Sequence, residues 1–268
     1  MNLLISVDME GVAGVVLPEH TVPGHREYER FRRQMTAEAN AAIAGAIAAG
    51  AESIVVNDAH GPMTNILIEE LDSRAELISG RPKPLSMMQG ISAETDAAFF
   101  VGYHGMSGSG ASILEHTWHP GILDVQINGT PVGECGVNAA LAGHFGVPVL
   151  LVTGDDAIAQ EARGLLDGVE TVSVKKGFGR TAARCLPSKV ATDQISEAAE
   201  RALSLSSEPL SVETPVTVSL RFQRATGADM ACLVPDTRRV DGRRVEWTGT
   251  TMLDAFNVFQ IMASLSRG

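Results

Sequence analysis

Asp8 and Glu10 stand one residue apart, close behind the first apolar run of the chain, Leu3-Leu4-Ile5. In an extended backbone residues i and i+2 point to the same side, which predicts two carboxylates on one face with Cα atoms roughly 6.5 to 7 Å apart. Like charges held that close repel, and burying them is costly unless a cation sits between them or their pKa values rise. Three more groups of the same chemistry follow further apolar runs. His60 comes after Ile54-Val55-Val56, His104 after Phe99-Phe100-Val101-Gly102-Tyr103, and Glu134 opens a predicted helix. Carboxylates and imidazoles without a thiolate suit zinc, manganese or cobalt. Five donors exceed what one tetrahedral ion takes. Two ions sharing one carboxylate use all five and leave each ion a place for water, the arrangement of two-metal hydrolases with ions roughly 3.5 to 4 Å apart.

Each residue alone is weak. A lone His after a strand is more often a hydrogen-bonded loop residue, and a lone Asp there is commonly a helix N-cap. The weight lies in several polar strand ends at once. Asp58, beside His60, reads as a supporting or capping group, and Asp155-Asp156 as a helix cap. Gly11-Val12-Ala13-Gly14 lacks dinucleotide-loop spacing and follows two acids, which would repel a pyrophosphate. There is no Walker loop and no Gly-x-Ser-x-Gly elbow. His20, His25 and His144 read as surface or packing residues. His116 and His119 lie between His104 and Glu134, within reach of the same centre.

The elements that must position these groups alternate. An apolar strand opens the chain, an Ala-rich helix over 27–49 closes at Gly50, and strands follow at 52–56, 75–79 and 97–102, with a short helical stretch expected at 65–71. Residues 113–132 read as an extended excursion turning at Asn128-Gly129. A helix from Glu134, a strand at 148–152, a helix from Ala157, a strand at 169–174 and an amphipathic helix at 192–203 come next. The alternation predicts an α/β fold, a mostly parallel sheet with helices on both faces, and such sheets bind ligands beyond the carboxyl ends of their strands. A strand at 217–222, a hairpin over 239–247 turning at Asp241-Gly242, and a helix over 252–265 suggest a smaller C-terminal α+β portion. The expected division is a metal-binding catalytic domain over 1–190 and that portion over 191–268.

With 268 residues, 44% hydrophobic and 20% charged, the chain can bury a large core, and its formal charge of −11 disfavours nucleic acid or an anionic membrane as partner. Arg238, Arg239, Arg243 and Arg244 fit the hairpin better than a binding patch. Cys135, Cys185 and Cys232 are odd in number and far apart, so neither a disulfide framework nor a thiolate zinc site is expected. No secretory signal or membrane span is seen, which makes the cytoplasm the expected compartment.

The blocks Ser6-Val7-Asp8-Met9-Glu10-Gly11, Asn57-Asp58-Ala59-His60, Gly102-Tyr103-His104, Glu115-His116-Thr117 and Gly133-Glu134-Cys135-Gly136-Val137-Asn138-Ala139, in this order, resemble the D-aminopeptidase family. The resemblance implies a dinuclear zinc aminopeptidase that releases N-terminal residues, D-amino acids such as D-Ala, from short peptides by attack of a metal-bound water. It implies that Asp8 bridges the ions, that Glu10 and His60 complete one site and His104 and Glu134 the other, and that His116 is an active-site histidine outside the ligand set. It further implies a homo-oligomer, a decameric ring. The rival readings are a metal-dependent phosphoesterase or amidase and a non-catalytic metal-binding ring protein. The acidic balance and the lack of an evident Arg or Lys phosphate clamp near the donors count against the phosphoesterase.

Overall fold

The computed structural model describes residues 1–266. The chain runs through β1 (Asn2–Val7), α1 (Tyr28–Ala48), β2 (Ser53–Asp58), β3 (Ala75–Ile78) and β4 (Ala97–Tyr103). After a long loop come β5 (Ile122–Ile127), β6 (Thr130–Pro131), α2 (Glu134–His144), β7 (Val149–Asp155), α3 (Asp156–Leu165), β8 (Glu170–Gly179), β9 (Ala182–Cys185) and α4 (Ser188–Ala202). The last stretch holds β10 (Val216–Phe222), α5 (Ala225–Ala231), β11 (Arg238–Arg239), β12 (Arg244–Gly249) and α6 (Met252–Leu265).

Seven strands form one sheet in the order β3-β2-β1-β4-β7-β8-β9, parallel except that β9 runs back along β8. The side chains of the central strands alternate between two cores, as the period of a strand requires. Leu3, Ile5 and Val7 of β1, with Phe99 and Val101 of β4, share a cluster with Ile43 of α1 and Ile195 of α4. Leu4 and Phe100 point the other way, into a cluster with Leu141 of α2 and Phe256 of α6. Burial on both faces explains why these strands read as continuous apolar runs. Each fully buried Leu, Ile or Phe contributes about 1.5 to 3 kcal/mol.

A second sheet, ordered β11-β12-β10-β5-β6, is assembled from two separated stretches of chain. The excursion turns at Asn128 and Gly129, whose φ values of 49° and 80° fit the expected hairpin, and β5 pairs antiparallel with β10. Asp241 accepts from the amides of Arg243 and Arg244 and so makes the expected turn before β12. Among the described residues no helix is long and apolar enough to cross a membrane.

Residues 65–71 form turns rather than the expected helical stretch. The Asp58 carboxylate accepts from the amides of Asn65 (2.5 Å) and Ile66 (2.7 Å), and Arg32 donates to the carbonyls of Thr64 and Asn65. Partners distant in sequence therefore satisfy the backbone that a helix would have satisfied locally.

Two glycines let the site's backbone close up. Gly11 donates its amide to Gly102 O at 2.8 Å. A Cβ on Gly11 would lie 1.9 Å from Tyr103 O, and one on Gly102, where φ is +71°, would lie 2.2 Å from Asp8 O. Gly102→Ala is expected to cost about 3 kcal/mol or more, combining left-handed strain with a backbone clash, and to displace Asp8. Thermal unfolding checks this, and a melting temperature within a degree or two of wild type would refute the packing argument.

Candidate active site

The five donors reach one place by different routes. Asp8 and Glu10 lie just past β1, where the chain has already left the extended conformation. The i, i+2 alternation thus does not operate there. The turn is held instead by Lys175 of β8, a buried side chain whose ammonium donates to the carbonyls of Glu10 (2.5 Å), Val12 (2.9 Å) and Val15 (2.7 Å). His60 lies two residues past Asp58, the β2 residue in register with Val7, and His104 follows β4 on the other flank of β1. Glu134 is the first residue of α2.

All five side chains are buried. His60 Nδ1 lies 3.1 Å from Asp8 Oδ1 and 2.8 Å from Glu10 Oε2. His104 Nε2 lies 3.5 Å from Asp8 Oδ2 and 3.8 Å from Glu134 Oε1. The opposite ring nitrogens face carbonyl oxygens, His60 Nε2 that of Thr21 at 2.9 Å and His104 Nδ1 that of Gly105 at 3.0 Å. A carbonyl accepts only from N–H, so each ring carries a proton on its outer nitrogen. A neutral ring then turns its lone pair toward the carboxylates.

A lone pair facing carboxylates is repelled unless a proton or a metal lies between them. His104 Nε2 and Glu10 Oε2 are buried with no aligned hydrogen-bond partner, which fits atoms that would coordinate a cation. Carbonyl groups that fix the ring tautomer are the usual support of metal-ligating histidines. Without an ion, protons take the cation's place. Burial works against a charged His104, but Glu134, Asp8 and Glu10 raise it to about 9. Burial likewise opposes a charged His60, and Glu10 and Asp8 hold it well above its ordinary value. Burial and the Glu10 charge push Asp8 up to about 6. Burial alone would push Glu10 up too, yet the His60 ring holds it well below the usual range. The donor set fits divalent cations, two groups of which, Asp8 with Glu10 and His104, and His104 with His116 and Glu134, lie within mutual coordination range.

His116 sits in the long loop between β4 and β5. Its Nδ1 faces Leu114 O at 2.9 Å, its Nε2 lies 3.5 Å from Glu134 Oε1, and its ring stacks on His104 at 4.3 Å. The loop is pinned by Asp155, which caps α3 through Ile158 N and also accepts from Ser112 Oγ (2.8 Å) and Ile113 N (2.7 Å). Asp58 has the supporting part expected of it, holding the turn after His60.

A family model described as D-aminopeptidase, peptidase family M55, matches residues 1–261. The chain belongs to the D-aminopeptidase family. It is therefore a peptidase, a hydrolase of peptide bonds. The D-aminopeptidase of Bacillus subtilis is 38% identical over 271 residues, spanning 99% of this chain and 98% of its own. A solved structure described as the Zn-dependent D-aminopeptidase DppA from Bacillus subtilis, a self-compartmentalizing protease, superimposes with a TM-score of 0.98 at 37% identity, over 100% of this chain and 99% of that one.

In this family member Asp8, Glu10, His60 and Glu134 open onto a cavity of about 480 Å³. Its far walls come from parts of the chain that motif reading does not flag. Trp118 packs edge-on against Phe256 and Phe259 of α6, which also lends Gln260 and Ser264. Gln260 holds the Pro84 carbonyl at 3.0 Å, tying α6 to the segment after β3. That segment places Arg81 and Lys83 on the cavity wall, two basic side chains near donors for which the sequence showed no evident Arg or Lys phosphate clamp. The available signal was Arg81-Pro82-Lys83-Pro84, two cations stiffened by prolines in an acidic chain.

Behind the site Glu38 is fully buried and accepts from Ala13 N at 2.8 Å and Gln34 Nε2 at 3.2 Å. Burial pushes it from 4.5 up to about 7. A folded pKa above the unfolded one means its stability contribution is whole below 4.5 and is lost as pH rises through 7. Glu38→Gln keeps the hydrogen bonds and removes the charge. It is expected to stabilise the protein by on the order of 2 kcal/mol more at pH 8 than at pH 5, measured by denaturant unfolding at both pH values. Equal effects would exclude a buried charge at Glu38.

Proposed function

We propose that this chain is a dinuclear zinc aminopeptidase that releases N-terminal D-amino acids such as D-Ala from short peptides. Asp8 would belong to both ligand sets, with Glu10 and His60 holding one ion and His104 and Glu134 the other. Manganese and cobalt suit the same donors. The observation that carries this reading is the pair of imidazoles, each held in one tautomer by a backbone carbonyl and facing carboxylates at 2.8 to 3.8 Å.

Bound zinc supplies a Lewis acid for the scissile carbonyl and lowers the pKa of water toward neutrality. The chain's own groups do the rest. His116, with Nδ1 committed to Leu114 O, has Nε2, 3.5 Å from Glu134 Oε1, to move a proton between the attacking water and the leaving amine. The acids favour a substrate's terminal ammonium over a blocked end, which makes the activity that of an exopeptidase. Trp118 and the α6 side chains narrow the cavity to a short peptide and shed water from it. The assembly we infer is a closed homo-oligomer, a decameric ring, in keeping with the self-compartmentalizing description of the B. subtilis enzyme.

The deciding experiment loads purified protein with zinc, counts metal per chain, and offers D-Ala and L-Ala p-nitroanilides, short D-peptides and p-nitrophenyl phosphate. Two zinc ions and cleavage of the D-substrates are expected. Cleavage of the phosphate alone would favour the phosphoesterase reading, and no cleavage with bound zinc a non-catalytic metal protein.

A further inference from the structure

Lys83 and Arg81 bring positive charge to the acid-lined cavity, and among the described residues neither makes an ion pair. The Lys83 ammonium is half-buried and donates to Asn57 Oδ1 and to the Asp58 carbonyl, both at 2.6 Å and both neutral. The Asp58 carboxylate is turned to Asn65 N, Ile66 N and Asn65 Nδ2 and makes no hydrogen bond to the ammonium. Arg81 is exposed and, among the described residues, makes no hydrogen bond or ion pair. A partly buried ammonium that meets only neutral oxygens and still has an N–H to spare calls for an anion. A guanidinium beside it offers the planar fork that grips a carboxylate with two hydrogen bonds.

The placement of these cations gives the anion a position. Strand order runs β3-β2-β1-β4, so His104 and Glu134 lie on the β4 side of Asp8, His60 on the β2 side, and the segment that leaves β3 beyond it. Asp58, to which Lys83 is bonded, is in register with Val7, the residue before Asp8. The ammonium is therefore within about two strand spacings, roughly 10 Å, of the acids. An extended dipeptide spans about 7 Å and a tripeptide about 10 Å. The cavity thus carries acids and cations on one lining, within a distance that a very short zwitterionic peptide can span.

We propose that Arg81 and Lys83 bind the free C-terminal carboxylate of di- and tripeptide substrates, which makes substrate length and an unblocked carboxyl end determinants of specificity. This rests on the aminopeptidase reading, and the test separates the two. Zinc-loaded wild type, Arg81→Gln and Lys83→Gln are assayed on D-Ala-D-Ala, on its C-terminal amide, and on D-Ala p-nitroanilide, which has no carboxylate. The ratio of kcat/KM for free acid over amide is expected to exceed ten in wild type and to fall about tenfold in either variant, mostly through KM of the free acid. A merely structural defect would lower both substrates together and leave the ratio unmoved. Arg81, being exposed and unbonded, keeps the test sound if Lys83→Gln disturbs the turn after β2. Wild type that cleaves acid, amide and anilide alike, with a ratio unchanged in Arg81→Gln, would overturn the carboxylate site and leave the aminopeptidase standing. Cleavage of none of the three would overturn both. Cleavage of p-nitrophenyl phosphate only, weakened by Arg81→Gln, would make the pair a phosphate clamp and overturn both as well.

Discussion

Asp8→Ala is expected to lose both zinc ions and at least about 10³-fold of turnover, the equivalent of several kcal/mol of transition-state stabilisation, while the fold stays intact. Among the five donors only Asp8 contacts both imidazoles, through Oδ1 at 3.1 Å from His60 and Oδ2 at 3.5 Å from His104. Each ion would be left with two protein donors and an unbalanced charge. The fold should not suffer, because in the metal-free chain Asp8 is a burden at neutral pH. Its carboxyl rises from 3.8 to about 6 on folding, so its favourable contribution is whole below 3.8 and is gone once pH passes 6. Metal-free Asp8→Ala should therefore melt no lower than metal-free wild type at pH 8. The stabilisation that zinc gives wild type, about 2.7 kcal/mol per site at a hundredfold excess over Kd, and the rise in melting temperature it produces should vanish. Metal analysis and melting curves with and without zinc check this. Retention of two ions with full activity would exclude Asp8 as the bridge.

The second large effect concerns His116. Its exchange for alanine is expected to leave two zinc ions in place and to lower kcat by about 10²- to 10⁴-fold, the usual worth of a positioned proton donor or acceptor, with little change in KM. The geometry makes the metal count informative. The His116 ring lies against His104 at 4.3 Å and its Nε2 is 3.5 Å from Glu134 Oε1, close enough that a ligand role is sterically open. Loss of one ion from His116→Ala would move this histidine into the coordination sphere and leave the proton transfer to another group.

Much of the fold was legible because it is encoded locally. β1, β2, β4 and β7 each carry a continuous apolar run since both sheet faces are covered, and the polar residues where those runs stop are the ones that gather at the sheet edge. Asp8, His60 and His104 could be read from that interruption alone. The reason first offered for pairing Asp8 with Glu10 was incomplete. Strand alternation stops at Val7, and what turns Glu10 toward His60 is Lys175, more than 160 residues away in the chain. No local pattern announces a buried lysine whose partners are three carbonyl oxygens. The turns at 65–71 escaped for a similar reason, because Asp58 holds the Asn65 and Ile66 amides while Arg32 and Thr36 of α1 take the Asn65 carbonyl and the Leu67 amide.

The sequence by itself determined the donor chemistry, the alternation that makes an α/β sheet, and the blocks that resemble one peptidase family. These depend on residue type and short-range order, which a one-dimensional string preserves. Only the tertiary structure decided which backbone carbonyls hold the His60 and His104 tautomers, that β5 and β6 join β10 in a second sheet, and that Arg81 and Lys83 line one cavity with the acids. Those relations link residues far apart in the chain through hydrogen bonds and burial, and such bonds form only once the hydrophobic cores have brought the segments together.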